Sequence, residues 1–546
     1  MIDSFYKTID KSNFYLGLVT QVYRDRVILQ VENLSLLSHR ELGKDSLIPN
    51  TINYYVVIDS IKGLFFGRIY QSKLVNSDNI YLAKKAKIWP EISVDILGVL
   101  INEKQGFGLP GFLTAGIMDK VYIANHEVIK KYFESIEIKN DAIESREQLP
   151  CFSILAYNGQ EIRFSPNTLL DKHLIIVGTT NSGKSTSALS ILDKLIKQKI
   201  KVLIIDPTGE YQNSFGDTEL KKLKLGEDTK VSIGDFSMQN WETLFEVNEG
   251  TQPAFLANAI KSLRYQAKIK DEDECYEKNG KTPENVKKDL LKIKKQKSFN
   301  LSKLPEQLIN ESVSINKSNE YYIDNFKLNT NEYLIEKIKY KLENTAFLNF
   351  FGINTNDKPA HQKKFLNLLD EIKKFSKKSH TSLYIDCSSI GITDSIGGTI
   401  IDLISNYLVN LEKEAVEPFV FFIDEVHRYA KNDSMGGTEF HSGLTVIARE
   451  GRKKGIFLFL TTQNPNDVDK VLLGQIGTLL IHRLTQSNEI SAIQNHFNNQ
   501  ELTQIRKLSN GEAMLTSANL LTNVTLKIIK CINRNQDNET PNLITK

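Results

Sequence analysis

Hydrophobic and polar residues alternate along the first part of the chain with the period of two that β-strands show. Segments 15–23 and 26–31 form one pair of alternating runs, and segments 53–58 and 64–69 form another, each joined by a short polar turn. Segment 92–101 is a further alternating run. Short strands at this spacing are typical of a small barrel, so we predict an N-terminal β-barrel domain.

Continuous apolar runs replace this alternation after residue 150. Short runs that are followed by residues at helical spacing are typical of buried parallel strands in an α/β domain. They occupy segments 174–177, 201–206, 382–386, 419–423, 456–460 and 479–484. Lysine, asparagine and glutamate dominate residues 251–380, where apolar residues recur at helical intervals. The predicted domains are a barrel at 1–150, an α/β core at 151–250 and 381–534, a helical insertion at 251–380, and a flexible tail at 535–546.

One loop between an apolar run and a helical pattern has the complete G-x-x-x-x-G-K-[ST] sequence of a phosphate-binding loop. Its residues are Gly178, Thr179, Thr180, Asn181, Ser182, Gly183, Lys184, Ser185 and Thr186. Glycines let backbone N–H groups approach phosphates, and a helix N-terminus favours negative charge. We expect Lys184 to reach the β- and γ-phosphates of ATP and Ser185 to bind Mg²⁺. The motif and both flanks predict a nucleotide site on a RecA-like α/β core rather than a plain glycine turn.

Carboxylates follow two of the apolar runs. Segment 419–423 leads directly into Asp424 and Glu425, and an adjacent Asp-Glu pair at a strand end is rarely structural. We expect Asp424 to hold the Mg²⁺ shell and Glu425 to polarise the attacking water. Asp206 and Glu210 follow another run and are placed to reach the nucleotide, its metal or the water. Asp206 fits a second interpretation equally well, as an acid that caps a helix or turn.

Polar residues near the last core strands suggest a sensor and an arginine that acts on a neighbouring subunit. Gln463 follows the run at 456–460, where it can detect the γ-phosphate beside the paired carboxylates. Arg449 and Arg452 lie in a basic cluster at the end of a helical pattern. Such arginines either favour the helix dipole or, in ring ATPases, reach the nucleotide of the next subunit.

Composition narrows the class of protein. The 546 residues carry a net charge of +3, so contact with nucleic acid must come from local patches. The lysine-rich segment 287–297 is one candidate, although a solvated helix face explains it better. The four cysteines have no metal-binding spacing, and the sequence has neither a signal layout nor an apolar run of membrane length. We therefore expect a soluble cytoplasmic protein without membrane contact.

Taken together, the motifs resemble those of the HerA family of hexameric ATPases, within the larger HerA/FtsK class. The matching positions are 173, 178–186, 206–211, 422–427, 449–453 and 462–465. Two positions depart from the family pattern, since Asn181 stands where glycine is common and Thr208 stands where histidine is often found. Neither change removes a phosphate-binding group, so ATP binding is still expected.

The resemblance implies a ring of six subunits, with ATP sites at the subunit interfaces and DNA threaded through the pore. It implies an acidic site made of Asp206, Asp424 and Glu425, a sensor role for Gln463, and contact between the basic cluster and the neighbouring subunit. Many family members work with a nuclease in DNA end resection. Others accompany a sirtuin-like NAD hydrolase or a nuclease in bacterial antiviral operons, and the long insertion favours this defence type.

The sequence leaves three functions open. The chain is an ATP-driven DNA translocase that works with an effector, a ring that mainly organises and gates an effector, or a soluble coupling ATPase for conjugation or secretion. The intact pair of carboxylates favours ATP hydrolysis in the first two cases.

The N-terminal barrel is the expected docking site for the effector because it carries no catalytic motif. Its strands are rich in aromatic residues, including Tyr54, Tyr55, Phe65 and Phe66. Some of these must fill the barrel, and for any single residue we favour this core interpretation. A small barrel cannot enclose all of them, so we expect others to lie on the surface, where aromatic residues favour interfaces.

Overall fold

The computed structural model describes residues 1–6, 11–32, 34–42, 45–47, 51–74, 90–138, 147–156, 159–248, 250–293, 296–353, 365–377, 381–389, 396–412, 416–429, 443–532 and 534. The chain divides into two units with dense internal contacts. The first consists of Met1–Leu169 and Ala513–Ile528, and the second of Leu170–Glu512 and Ile529–Lys546. The tail predicted at 535–546 lies outside the described residues.

Among the residues described in the first unit, six antiparallel strands close into a barrel, as the alternating pattern predicted. The strands are β1 (Tyr15–Val22), β2 (Arg26–Val31), β3 (Tyr55–Ser60), β4 (Gly63–Leu74), β5 (Pro90–Leu100) and β6 (Lys120–Ile123). Their order around the barrel is β1-β2-β5-β4-β3-β6, and β6 pairs back onto β1. Closure removes the exposed edges that an open sheet of this size would have.

A helix, His126–Glu134, packs against the outside of the barrel and creates a second apolar core there. Phe66 stacks between Tyr55 and Tyr132, with ring centroids 5.0 and 4.1 Å apart. Phe65 points to the other face of β4 and is also fully buried. Tyr55, Phe65 and Phe66 are therefore all buried, in agreement with the core interpretation of single aromatic residues, because the helix and the barrel interior enclose both faces of the strand.

Within the described part of the second unit, seven parallel strands form its sheet. Two short strands of the first unit precede them in the chain, β7 (Ser153–Leu155) and β8 (Glu161–Ile162). The sheet strands are β9 (Leu174–Val177), β10 (Val202–Asp206), β11 (Leu220–Lys224), β12 (Ser382–Asp386), β13 (Phe419–Ile423), β14 (Ile456–Thr462) and β15 (Thr478–Ile481). Their order is β15-β9-β14-β13-β10-β12-β11. Because the strands are parallel, their carboxyl ends meet at one edge, where a ligand crevice forms in such sheets.

Helices cover this sheet, as continuous apolar strands require. Those between the strands of the core are Lys184–Lys197, Met238–Leu244, Ile396–Val409, Gly443–Glu450, Lys470–Gln475, Ser487–Ile493 and Asn499–Ile505. No helix within the described residues combines the length and the apolar character needed to cross a membrane.

Helices also dominate the described part of the region predicted as an insertion. They are Gln252–Ile269, Pro283–Leu290, Leu304–Asn310, Asn325–Glu343, Thr345–Phe351 and Leu368–Ser376, with a short hairpin at Val313–Ile315 and Tyr321–Ile323. Trp241 is fully buried and stacks on Phe245 and Phe351 at 5.7 Å. These stacked rings form an apolar core through which the insertion packs against the rest of the second unit.

The first unit extends further along the chain than predicted. β16 (Glu512–Ser517) and β17 (Val524–Ile528) follow the core near the C-terminus, and β17 pairs antiparallel with β7 through Leu526 and Leu155. This long-range pairing joins segments that are far apart in the sequence. It groups 513–528 with Ser153–Leu155 in the first unit, whereas the sequence predicts that both segments belong to the α/β core.

Candidate nucleotide site

The phosphate loop connects β9 to the helix Lys184–Lys197 through backbone conformations that require small residues. A Cβ atom on Gly178 would lie 2.4 Å from Ser182 Oγ. Gly183 precedes the helix with a φ of 107°, a region that glycine adopts without strain. Asn181 has a φ of 63°, and asparagine is among the few residues that tolerate this region. The departure from glycine at position 181 therefore leaves the shape of the loop intact.

Two segments of the second unit that are distant in sequence contact the phosphate loop and the helix that follows it. His482 follows β15, and its Nδ1 donates to Glu512 O at 2.8 Å. Its Nε2 then accepts from Ser187 Oγ, also at 2.8 Å, on the first turn of the loop helix. Gly511 N donates to Ser182 O at 3.1 Å. Burial lowers the pKa of His482 to about 4, so the ring is neutral at physiological pH.

The residues predicted for ATP chemistry meet at the carboxyl ends of β9, β13 and β14. Lys184 Nζ donates to Glu425 Oε1. Gln463 Nε2 donates to the same oxygen at 2.7 Å, and Thr180 Oγ1 donates to Gln463 Oε1 at 3.1 Å. The predicted sensor therefore bridges the phosphate loop and the predicted catalytic carboxylate. Ser185 and Thr186 lie half-buried on the first turn of the loop helix.

The two adjacent carboxylates have opposite electrostatic environments. Burial raises the pKa of Asp424 to about 7, although Lys184 opposes this and Thr461 donates to Asp424 Oδ1. Burial alone would also raise the pKa of Glu425, but contacts with His427, Lys184 and Gln463 outweigh it and lower the pKa to about 2. Glu425 is therefore ionised as it stands, whereas Asp424 needs a nearby cation to be fully ionised.

Asp206 organises the turn that follows β10. Its Oδ1 accepts from Thr208 N and Thr208 Oγ1 at 3.0 Å, and from Gly209 N at 2.9 Å. Its Oδ2 accepts from Tyr211 N and Tyr384 Oη, both at 2.9 Å. Protein donors occupy both oxygens, so these contacts favour the turn-capping interpretation over direct contact with the nucleotide. Thr208, which departs from the family pattern, supplies two of these donors, its N–H and its hydroxyl.

Glu210 is the carboxylate of this turn that faces the site. Burial raises its pKa, and the nearby charge of Asp206 adds to that shift, while Lys184 opposes it. Its Oε2 is buried and has no hydrogen-bond partner among the described residues. Gly209, between Asp206 and Glu210 in this turn, has a φ of 77°, which glycine adopts without strain. Glu210 is thus a candidate for contact with a polar ligand.

The two predicted arginines differ in their surroundings. Arg452 Nη2 lies 2.9 Å from Asp171 Oδ2 of the same chain. Arg449 is exposed, and within the described residues it has no ion pair or hydrogen bond. His173 fixes the helix that ends near them, because its Nε2 donates to Ala448 O at 3.0 Å while its Nδ1 accepts from Leu458 N at 2.9 Å. Neither arginine contacts Lys184 or Glu425 within the described part of the chain.

Comparison with known proteins finds similarity to one family of ATPases. The family model described as "Helicase HerA, central domain" matches residues 153–339. The probable helicase MJ1565 of Methanocaldococcus jannaschii is 22% identical over 401 residues, covering 72% of this chain and 67% of the relative. The DNA double-strand break repair helicase HerA of Pyrococcus furiosus is 21% identical over 417 residues, covering 73% of this chain and 72% of the relative. Over these residues the chain is similar to the HerA family of P-loop ATPases.

The HerA family model covers the phosphate loop and the Asp206 turn, whereas Glu425 and Gln463 lie beyond its match. Among solved structures, VirB4 of Thermoanaerobacter pseudethanolicus has a TM-score of 0.45 and 14% identity, covering 72% of this chain and 99% of its own. A similarity of this size carries no conclusion about function.

Three supporting residues were missed by the sequence reasoning because their partners are remote. His482, Thr461 and Tyr384 each contact a motif residue that lies between 37 and 295 positions away. Histidine at the end of an apolar run was the one visible indication, and it does not by itself distinguish a ligand from a structural side chain.

The support that His482 gives to the phosphate loop should be sensitive to acid. Its pKa is about 4 in the folded chain and about 6.5 in an unfolded one, so the unfolded chain binds an extra proton between these values. The contribution of the neutral His482 ring to the free energy of unfolding should be fully present above pH 6.5. It should fall by up to about 3 kcal/mol as the pH drops to 4. Urea denaturation at several pH values would measure this slope in the wild type, in His482→Gln and in the exposed-site control His39→Gln. Equal slopes in the wild type and His482→Gln would contradict the assignment.

Proposed function

We propose that this protein uses Mg²⁺-dependent ATP hydrolysis to act on DNA, as a ring of six subunits that works with a protein effector. The observation that carries the proposal is the contact network of Lys184, Glu425, Gln463 and Thr180, which joins a complete phosphate loop to a buried strand-end carboxylate. Similarity to the HerA family, whose named relatives are helicases, supports action on DNA.

The side chains around the loop fit a phosphate ligand. Ser182 Oγ, Glu210 Oε2 and Tyr211 Oη are buried without hydrogen-bond partners among the described residues. Unpartnered polar atoms are costly to bury, so their presence beside Lys184 fits a site that receives a polar ligand. Loop N–H groups and the N-terminus of the following helix complete the cradle.

The site also fits Mg²⁺ as a partner of ATP. Within the described residues no three ligating side chains cluster into a metal site of their own. Mg²⁺ is usually held by one or two side chains together with substrate phosphates, so this arrangement suits it. We assign Ser185 and Asp424 to it, since a nearby cation would lower the raised pKa of Asp424 and favour its ionised form.

The chemistry assigned to the chain follows from these contacts. Lys184 exchanges Glu425 for the phosphates, which leaves Glu425 ionised and able to orient and polarise the attacking water. Gln463 responds to the loop through Thr180 and therefore links phosphate binding to the position of Glu425. Mg²⁺ supplies neutralisation of the phosphate charge. Asp206 holds the turn that presents Glu210.

Lys184→Ala and Glu425→Ala should abolish ATP hydrolysis. The loss of a group that stabilises or activates charge in the transition state typically costs about a hundredfold or more in rate. Steady-state phosphate release with Mg²⁺ would measure the effect, and Glu332→Ala, an exposed glutamate in the insertion, is the matched control. Hydrolysis at the wild-type rate by Glu425→Ala would show that Glu425 is not the catalytic carboxylate.

We further propose that Arg449, rather than Arg452, reaches the nucleotide of the neighbouring subunit in a homohexamer. Arg449 is exposed and unpaired within the described residues, whereas Arg452 is engaged with Asp171. An arginine that acts in trans must be free within its own subunit and stabilises transition-state charge when it arrives. Arg452 then helps to hold the basic segment in place.

Subunit mixing should separate these two arginines. Pure Arg449→Ala rings should be inactive, and pure Lys184→Ala rings should be inactive as well. A random equal mixture should regain activity, because about a quarter of its interfaces join an intact loop to an intact Arg449. Arg452→Ala alone should keep a larger share of wild-type activity than Arg449→Ala alone. An active monomer in mass measurements, or no recovery on mixing, would contradict the interfacial site.

Two readouts distinguish the translocase from a ring that mainly organises and gates an effector. DNA-stimulated ATP hydrolysis with strand displacement favours the translocase, and effector activation by a Glu425→Ala ring favours the scaffold. A nuclease or a sirtuin-like NAD hydrolase, in DNA end processing or antiviral defence, is the effector that we propose on the basis of the family. A soluble coupling ATPase for conjugation or secretion is the remaining alternative, and it requires DNA transport without such an effector.

The barrel offers a surface for the effector at one of its ends. Its apolar rim consists of Ile61, Ile101, Leu109, Phe112, Ile117 and Met118, all of which are exposed. Ile61 lies in the turn between β3 and β4, Ile101 directly follows β5, and Met118 closely precedes β6. The pairing of Leu64 with Leu100 and of Asp59 with Lys120 places these three at the same end. Clustered exposed apolar side chains are typical of interaction sites.

Phe112→Asp and Ile61→Asp should therefore weaken effector binding and leave ATP hydrolysis unchanged. Phe112 is 94% exposed and Ile61 is 100% exposed, so neither substitution removes a core contact. Co-purification of the effector and ATPase assays on each variant would test this, with Phe326→Asp in the insertion, 80% exposed, as the matched comparison. If Phe326→Asp abolishes binding while both rim variants bind normally, the docking surface lies in the insertion instead.

A further inference from the structure

We propose that His427 is the positioning residue that fixes the orientation of the Glu425 carboxylate during turnover. This inference rests on the proposed ATPase function. It adds His427 to the site as a residue that acts through Glu425 rather than on ATP itself. His427 lies on the single 3₁₀ turn Val426–Arg428, which follows the carboxylate pair at the end of β13. Its Nδ1 is 3.2 Å from Glu425 Oε2, on the side of the carboxylate opposite to Lys184 and Gln463.

The hydrogen-bond pattern defines which atom of His427 carries the proton. Thr462 Oγ1 donates its hydrogen to Asn464 O at 3.1 Å. The same oxygen lies 3.2 Å from His427 Nδ1 and is therefore left to accept. Nδ1 thus carries the hydrogen and donates it to Thr462 Oγ1, while Glu425 Oε2 lies at the same distance of 3.2 Å and has no hydrogen-bond partner of its own among the described residues. Because Thr462 is fully buried at the end of β14, the ring is anchored to the core of the sheet.

His427 is the one of the three Glu425 contacts that does not depend on the phosphate loop. Lys184 belongs to the loop and is needed by the phosphates in the proposed mechanism. Gln463 is joined to the loop through Thr180, so its position follows the loop. His427 is joined to β14 through Thr462 instead. It can therefore hold Glu425 Oε2 while the contacts of Oε1 change.

The backbone of Glu425 is held in place, so rotation of its side chain is the main movement left to this residue. Glu425 has a φ of 48°, in the left-handed region that is strained for most residues other than glycine, and its N–H donates to Thr461 Oγ1 at 2.9 Å. The strand end is thus held in one conformation. A carboxylate that is held at only one oxygen can rotate away from the attacking water, and misplacement by about 1 Å can cost about a hundredfold in rate.

The test uses four substitutions in the full-length ring. His427→Ala should lower kcat about ten- to a hundredfold while the KM for ATP and the affinity for a fluorescent ATP analogue change less than about twofold. His427→Asn places an amide nitrogen near the position of Nδ1 and should restore most of kcat. His427→Gln, which reaches the position of Nε2 instead, should not. Thr462→Val should lower kcat in the same direction, and its effect should be smaller in combination with His427→Ala than alone, because the two act as a unit.

Each outcome distinguishes this inference from the function on which it rests. A wild-type kcat in His427→Ala overturns it, as do equal rates for the Ala and Asn variants or a loss of analogue binding that matches the loss of rate. Thermal unfolding of each variant shows whether the fold is retained, and Thr462→Val provides the same test if His427→Ala does not fold. A wild-type protein without ATP hydrolysis would overturn the proposed function and this inference together, whereas an active wild type with an unaffected His427→Ala overturns the inference alone.

Discussion

The contact between the Lys184 ammonium and the Glu425 carboxylate is the interaction on which the arrangement of the site depends. Both side chains are buried, with relative exposures of 5% and 4%. Burying a charge is costly unless a partner is present, and removing one partner of a buried pair typically costs about 3–5 kcal/mol. This pair therefore fixes the position of the phosphate loop relative to the end of β13. β14 lies between β9 and β13 in the sheet, so the residues at its end contact both.

Three consecutive residues at the end of β14 add contacts that help to hold the site in this arrangement. Thr461 donates to Asp424 and accepts from the backbone of Glu425, Thr462 lies beside His427, and Gln463 joins Glu425 to the loop. Because these contacts lower the pKa of Glu425 while burial raises that of Asp424, two adjacent carboxylates acquire different roles. Glu425 is ionised as it stands, and Asp424 would be fully ionised only beside a cation.

Much of the core could be predicted from local sequence because its elements leave local patterns. The alternating runs identified the barrel, the continuous runs identified buried strands, and the phosphate loop carries its own motif. The carboxylates at 424 and 425 followed from the rule that groups at the carboxyl ends of parallel strands meet at one edge. Gln463 was found for the same reason, and it lies where that rule places it.

The remaining features depend on contacts between segments that are far apart in the chain. The pairing of β17 with β7 moved the domain boundary, and the helix His126–Glu134 buried aromatic side chains that a bare barrel would expose. Asp206 could be assigned to its turn only once Tyr384 was seen to donate to it from a neighbouring strand. Arg449 and Arg452 have the same local pattern, and only the distant Asp171 separates them.

The fate of ATP on the Glu425→Gln ring tests the central claim most directly. This substitution keeps the shape of the side chain and its contact with Gln463 but removes the negative charge that polarises water. Purified Glu425→Gln rings would be incubated with Mg²⁺ and labelled ATP, separated from free nucleotide, and quenched, and the retained nucleotide would be identified by chromatography. The account predicts that the rings retain ATP, because binding through the loop survives while cleavage stops. Retention of ADP in the proportion found for the wild type would contradict it.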